Sequence, residues 1–442
     1  MPAAPTATSG QGLLDQTAYW KRAQSVIPRG ASSGHRVGWD QVINRTSGSH
    51  VWDGTGKRYV DYLLAWGPIV LGHCDPRVNE AVTKAMSTCD LTGIGPQYGE
   101  VEVAEIICTV MPSAERVAFC TSGTDATMHA VHLARAATGR RKIVKFHGSY
   151  HGWSDVVAVG SARADTTPTT PMETPNGGGL HPDSIADVIM VEWNDDIAVK
   201  QAFADHGDDI AAVFCEPYVH SFGCVPAKDG FLEMLRATCD THSSVLVFDE
   251  VKTGFRSAIG GYQSICGVTP DLTAFGKAVA NGFALAGLAG NEVLMGHLGA
   301  YTGDRATIDG TYNAAPYALA AARKTLEIMQ TEDVFERLYL RGEQVRTGLR
   351  EAAAEAGAQV SIVGLGSEWA VYFQPTAPTN FREALRSDNA AYARFHEVMV
   401  EGGIIQPAFP NGDRRLCAAT SQEDVDLTID VARRAFAASI KI

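Results

Sequence analysis

The sequence predicts an α/β protein with a mainly parallel sheet in a large domain and a smaller α+β domain beside it. From about residue 115, short apolar runs alternate with amphipathic stretches. Strands of a parallel sheet and the helices that cover them read this way. One run, Val245 to Phe248, is continuously apolar, as a strand buried on both faces must be. After Pro316 the alternation stops, and long helical patterns surround one clear strand.

In chain order, RVAFCTSG reads as the first strand of the alternating region and TDATMHAVHLARAATG as its helix. KIVKFHG, DVIMVEW, IAAVFCEP, SVLVFDE, LTAFGK and ALAGLAG follow as strands. Beyond Pro316, YALAAARKTLEIMQ and RLYLRGEQVRTGLREAAAEAG have helical periodicity. EWAVYF (368–373) reads as a strand and 381–402 as one helix. The last helix is expected to open on a capping box from Thr420 to Glu423. These patterns suggest a large domain over 61–315 and a small one over 316–442, which residues 1–60 help to build.

With 442 residues, 45% hydrophobic and 20% charged, the chain can bury a sizeable core. A net charge of −13 argues against nucleic acid or anionic membrane partners. The best membrane-span candidate, AVANGFALAGLAG, is interrupted by Asn281. Nine scattered cysteines, none in C-x-x-C, indicate neither a disulfide framework nor a thiolate zinc site. A cytoplasmic location is expected. The opening MPAAPTATSGQG lacks the basic and apolar regions of a signal peptide and reads as a disordered tail.

The buried strand SVLVFDE ends in two carboxylates, Asp249 and Glu250, which raises the question of what cation Asp249 faces. Ser122, Gly123 and Thr124 stand at a strand-to-helix turn, where unpaired N–H groups and the helix dipole favour an anion such as phosphate. Such turns also cap helices with no ligand. Lys277 follows the apolar strand LTAFG. A desolvated amine there becomes nucleophilic, the alternative being a stem that snorkels to the surface. KFHGSYHGWSD offers His147 and His151 at H-x-x-x-H spacing, but Gly148 and Gly152 break any helix, so no metal is expected. An aromatic ring stacked on a flat heterocycle is a better use of Tyr150. GIGPQYG (93–99) has the wrong spacing for a dinucleotide fingerprint, which weighs against a dehydrogenase.

Taken together and in order, WGPIVLGH, TSGTDATMHAVHLARAATGRRKIVKFHGSYHG, CEP, FDEVKTGFR, PDLTAFGKAVANG and GTYNAAP resemble the class III (subgroup II) aminotransferases. These are pyridoxal 5′-phosphate enzymes of fold type I, and the chain is most similar to their glutamate-1-semialdehyde aminomutase branch. The resemblance implies that Lys277 carries the cofactor as a Schiff base and moves a proton, and that Asp249 pairs with the pyridinium nitrogen. It also implies Tyr150 and Val251 on the two ring faces, Ser122, Gly123 and Thr124 at the phosphate, and Glu216 near the phenolic side. Thr311 would cross from the partner subunit of a homodimer. Arg36 of GASSGHRVG falls where the aminomutases contact the substrate carboxylate, although exposed arginines also make ordinary surface pairs.

The sequence departs from the aminomutase pattern at Ser221, at Pro410 and in GIGPQYGE. An intermolecular transaminase is therefore expected, acting on a small β- or ω-amino acid or related amine with a keto-acid acceptor. Trp66, Tyr98 and Phe222 would make its pocket more apolar. Intramolecular amino transfer, as in the aminomutases, is the alternative. A lyase or racemase on the same cofactor and a non-catalytic binding protein are the other classes weighed.

Overall fold

The computed structural model describes residues 15–36, 39, 41–162, 165–299, 303 and 305–440. The tail expected at the N-terminus, residues 1–12, lies outside them.

Seven strands form the central sheet: β1 (Arg116–Cys120), β2 (Lys142–Phe146), β3 (Val188–Val191), β4 (Ile210–Cys215), β5 (Val245–Glu250), β6 (Leu272–Phe275) and β7 (Ala286–Gly290). Their order across the sheet is β1-β7-β6-β5-β4-β2-β3. Only β7 runs antiparallel to its neighbours. Every residue of β4 and β5 is buried, which is why these strands read as unbroken apolar runs. Because the parallel strands share a direction, the residues just past β1, β2, β4, β5 and β6 gather at one edge, where open α/β sheets bind ligands.

Two smaller sheets flank this one. Ser361–Leu365, Glu368–Tyr372 and Arg414–Arg415 form one of them. In the other, Ile43–Ser47, His50–Asp53 and Arg58–Asp61 are joined by Ile404–Ile405 from far along the chain. Helices Val334–Ala356, Asn389–Glu401 and Gln422–Ser439 pack around them.

Two details depart from the sequence reading. The stretch 381–402 is two helices, Phe381–Ala384 and Asn389–Glu401, because Asp388 starts a new one by accepting from the N–H groups of Ala390 and Ala391. The last capping box belongs to Ser421 and Asp424, since the Thr420 hydroxyl instead accepts from the Cys417 N–H. Among the described residues, no helix is long and apolar enough to cross a membrane. The nine cysteines are all free.

Buried polar side chains lock the site's segments together. The Asn281 side chain accepts from Val70 N (3.0 Å) and Leu71 N (2.9 Å) and donates to Gly72 O (3.1 Å). Arg256 donates to Gly67 O (2.8 Å), Ile69 O (2.9 Å) and Leu416 O (2.9 Å). WGPIVLGH, FDEVKTGFR and GKAVANG, distant in sequence, thus meet through paired backbone groups.

Candidate active site

A cavity of about 200 Å³ opens at the carboxyl edge of the sheet, lined by Gly123, Thr124, Tyr150, Glu216, Asp249 and Lys277 among others. Its floor answers why β5 ends in two acids. Glu250 turns inward and is satisfied there, accepting from the Thr253 hydroxyl (2.8 Å) and the Gln263 side chain (2.9 Å). Asp249 turns to the cavity. One of its oxygens accepts from Val251 N (3.0 Å), and the other lies 2.7 Å from His151 Nδ1. A carboxylate only accepts, so Nδ1 carries a proton and donates it to Asp249.

Lys277 sits in the left-handed region, with φ of 47°, just past Gly276 at the end of β6. A non-glycine residue there stores strain of about 1–3 kcal/mol, a cost found where a side chain must be aimed. Gly67 lets it lie flat, because a Cβ on that glycine would stand 3.2 Å from Lys277 Cδ. Burial, reinforced by the charge of Lys252, lowers the Lys277 pKa to about 7, against the pull of Asp249. Near neutrality much of this amine is therefore uncharged and nucleophilic.

At the opposite wall, Ser122 caps helix Gly123–Thr138. Its hydroxyl accepts from Asp125 N, and Asp125 accepts in return from Ser122 N. The Ser122 hydroxyl is thus occupied as a cap. The N–H groups of Gly123 and Thr124 lie in the first helical turn and have no intrahelical acceptor. Glycine is required at 123 because a Cβ would come within 2.7 Å of Val251. Tyr150, half exposed, stands over the cavity with its backbone N–H on Ser221 Oγ (2.9 Å). Burial raises its phenol pKa, while a hydrogen bond with Thr124 opposes the rise.

The remaining expected residues divide. Trp66 is outside the cavity lining, stacked parallel to Phe409 at 6.0 Å and with its ring 4.9 Å from that of His35. Arg36 is exposed in the short turn Gly34–Arg36 and does not line the cavity. Its neighbour His35 does not line the cavity either, but desolvation lowers its pKa, with the charges of Lys252 and Lys277 adding. Tyr98 lines a separate groove between helices Pro76–Met86 and Pro316–Thr331, away from Lys277 of its own chain. Thr311 is exposed and outside the cavity. Phe222 is fully buried against Phe381 and takes no part in the lining. His147 pairs with Glu192 at 3.2 Å, so the two histidines of KFHGSYHG serve different carboxylates.

Lys252 and Arg415 lay outside the sequence reading, which weighed His151 only as a metal ligand. His151 and Lys252 line the cavity, and Arg415 approaches the same point near Gly67 as Lys277 does. Beneath them, His220 lies 2.8 Å from Glu368, and Arg415 pairs with Asp413. Burial pushes the Glu368 pKa up, but His220, Arg256 and Arg415 outweigh it and bring the value to about 2. His220, Glu368 and Asp413 are close enough to hold a cation. Arg415 already supplies the positive charge to those carboxylates. Only long pairings with distant segments create this cluster, so no local motif announces it.

Pyridoxal phosphate fits the donors present. Among the described residues, Glu216 Oε1 and His151 Nε2 are buried without a hydrogen-bond partner, as expected where a polar ring belongs. An uncharged lysine, a buried carboxylate across the cavity and free helix N–H groups at its wall match an aldehyde, a ring nitrogen and a phosphate. The fold and site together are those of a pyridoxal-phosphate-dependent enzyme.

Comparison with known proteins narrows this further. Residues 33–414 match the family model "Aminotransferase class-III", and the chain belongs to that family. It is 38% identical over 422 residues to a glutamate-1-semialdehyde 2,1-aminomutase of Neisseria meningitidis, covering 94% of this chain and 97% of the relative. Among solved structures, an omega-transaminase from Sphaerobacter thermophilus superposes with a TM-score of 0.90 at 30% identity, covering 97% of this chain and 98% of the other. A transaminase with PLP bound superposes at 0.87 with 28% identity, covering 98% and 99%.

Proposed function

We propose that this protein is an intermolecular aminotransferase, exchanging an amino group between a β- or ω-amino acid, or a related amine, and a keto acid. The observation that carries the reading is the placement of the Lys277 amine and the Asp249 carboxylate on one small cavity with a helix N-terminus at its wall.

Bound there, pyridoxal phosphate supplies a ring that accepts the electrons left when a bond to the amine-bearing carbon breaks. Asp249 compensates the positive ring nitrogen, and His151 holds Asp249 in place. The N–H groups of Gly123 and Thr124, in the turn built by Ser122, hold the phosphate. Tyr150 and Val251 would hold the ring by its faces, and Glu216 would stand at its phenolic side. Lys277 would hold the cofactor through its amine, and its Nζ is the group that would take the proton from the substrate carbon and return it as general base and acid.

Arg36 and Trp66 belong to the substrate side in this reading, supported by the closeness of their neighbours His35 and Gly67 to Lys277. A homodimer, in which Thr311 and Tyr98 serve the partner's site, is supported by the exposure of Ile94, Tyr98, Trp153 and Tyr312. The division into 1–60, 61–315 and 316–442 is supported by the pairing of Ile404–Ile405 with Arg58–Asp61. A cytoplasmic location agrees with nine free cysteines.

Intramolecular amino transfer is the second reading, favoured by identity to the curated aminomutases. Against it stands Ser221, whose hydroxyl is engaged by Tyr150 N. Steady-state turnover decides between them. A transaminase needs a keto-acid acceptor and stops after one equivalent without it. Sustained conversion of glutamate 1-semialdehyde with no acceptor would overturn the proposal.

A further inference from the structure

Lys252 follows Val251 and lines the same cavity as Lys277, yet the cofactor gives it no task. Its ammonium has three donors to satisfy. The one side-chain partner it finds among the described residues is Asp413, at a long 3.4 Å. Asp413 is itself claimed by Arg415 through its other oxygen. Arg415 in turn faces Glu368 and donates to Leu63 O (2.9 Å). The carboxylate that anchors Lys252 is therefore shared with a guanidinium.

Such an ammonium on a cavity wall is under-compensated. Burial lowers its pKa, and of the groups that face it, Glu216, Glu368 and Cys224 favour the charge while Arg415 opposes it. His35 and Lys277 stand near enough for the Lys252 charge to lower their pKa values. Glu216 accepts through Oε2 from the N–H groups of His220 (3.1 Å) and Ser221 (3.2 Å), while its Oε1 has no partner. Among the described residues, Asp413 is the carboxylate that comes within hydrogen-bond reach of Lys252, and only at the long distance. A ligand that brings a carboxylate gives Lys252 a full partner.

We infer that Lys252 is a specificity-determining residue that binds the substrate's carboxylate, sharing it in place of the long contact with Asp413. This deepens the aminotransferase reading and rests on it for the amine half of the substrate. The preferred class is then a compact amino acid, whose amine reaches Lys277 while its carboxylate reaches Lys252 across one cavity. A plain alkylamine leaves Lys252 uncompensated and reacts less well.

The test uses the holoenzyme and two probes, hexanoate, which has no amine to react, and the pair 6-aminohexanoate and hexylamine. In Lys252→Gln, which keeps a donor for Asp413 and removes the charge, hexanoate binding measured by calorimetry should weaken at least 10-fold. The ratio of single-turnover rates for 6-aminohexanoate over hexylamine should fall by a similar factor. Lys252→Arg should restore both to within about 3-fold. Unchanged hexanoate affinity, no hexanoate binding by the parent enzyme, or a proportional loss for both amines would overturn the inference, the last marking Lys252 as a structural partner of Asp413. If neither amine bleaches the cofactor while hexanoate binding still depends on Lys252, the aminotransferase reading fails and the carboxylate site stands.

Discussion

His151 Nδ1 lies 2.7 Å from Asp249 Oδ2, and both side chains are buried at the carboxyl end of the central sheet. Together with the Val251 N–H on the other oxygen, this fixes the carboxylate plane. The histidine is a positioning residue, since it acts on the cofactor site by holding Asp249. Replacing His151 with Phe should weaken cofactor affinity about 10-fold or more and shift the pH titration of its visible absorbance. His151→Asn should recover part of both. An unchanged affinity and spectrum would show that Asp249 needs no such support.

Reaction of Lys277 with the cofactor should depend on pH in a way set by its surroundings. Its pKa, lowered to about 7 by burial and by Lys252, means that the nucleophilic amine is abundant above neutrality and scarce below it. Reconstitution of the apoprotein should therefore speed up through pH 7 and level off well below the range of an ordinary lysine. Borohydride should trap the cofactor on Lys277, and Lys277→Ala should fold, bind it reversibly and give no trapped adduct. A midpoint above pH 9 would contradict the assignment.

Acid stability should report Glu368. Its carboxyl is held at about 2, below the ordinary value of 4.5, by His220, Arg256 and Arg415 against the cost of burial. A depressed carboxylate stabilises the fold above its unfolded pKa and loses that contribution as pH falls towards the folded one, on the order of 3 kcal/mol in total. Glu368→Gln should lower stability at pH 7 and flatten the decline between about pH 5 and pH 2. Denaturant melts across that window measure it, and parallel curves for the two proteins would exclude the effect.

Arg256 should matter more to the fold than to the chemistry. It donates to the carbonyls of Gly67, Ile69 and Leu416, all beneath the site. Arg256→Met strands these buried acceptors and should cost roughly 3 kcal/mol or more. A urea midpoint unchanged from the parent would refute the role.

Much of the central sheet was legible because strands such as β4 and β5 are buried on both faces and carry an unbroken apolar signal. Asp249 and Lys277 were legible because one ends such a strand and the other follows one, and the Ser122–Gly123–Thr124 turn because it joins a strand pattern to a helical one. Helix boundaries were less so: Asp388 and Ser421 cap helices by local geometry that several nearby polar residues could have supplied. Tyr98 and Phe222 illustrate a different difficulty. Their apolar character predicts burial or contact, and the fold sends one to a surface groove and the other into the core.

The order of residues along the chain by itself determined the alternating α/β layout, the end of β5 in acid and the lysine past β6, since periodicity and burial act over a few residues. Which charges surround that lysine was decided only in three dimensions. Lys252, Glu368 and the pair of Asp413 and Arg415 come from segments far apart, and Coulomb interactions depend on distance through space. A sequence records none of those distances until the chain has folded.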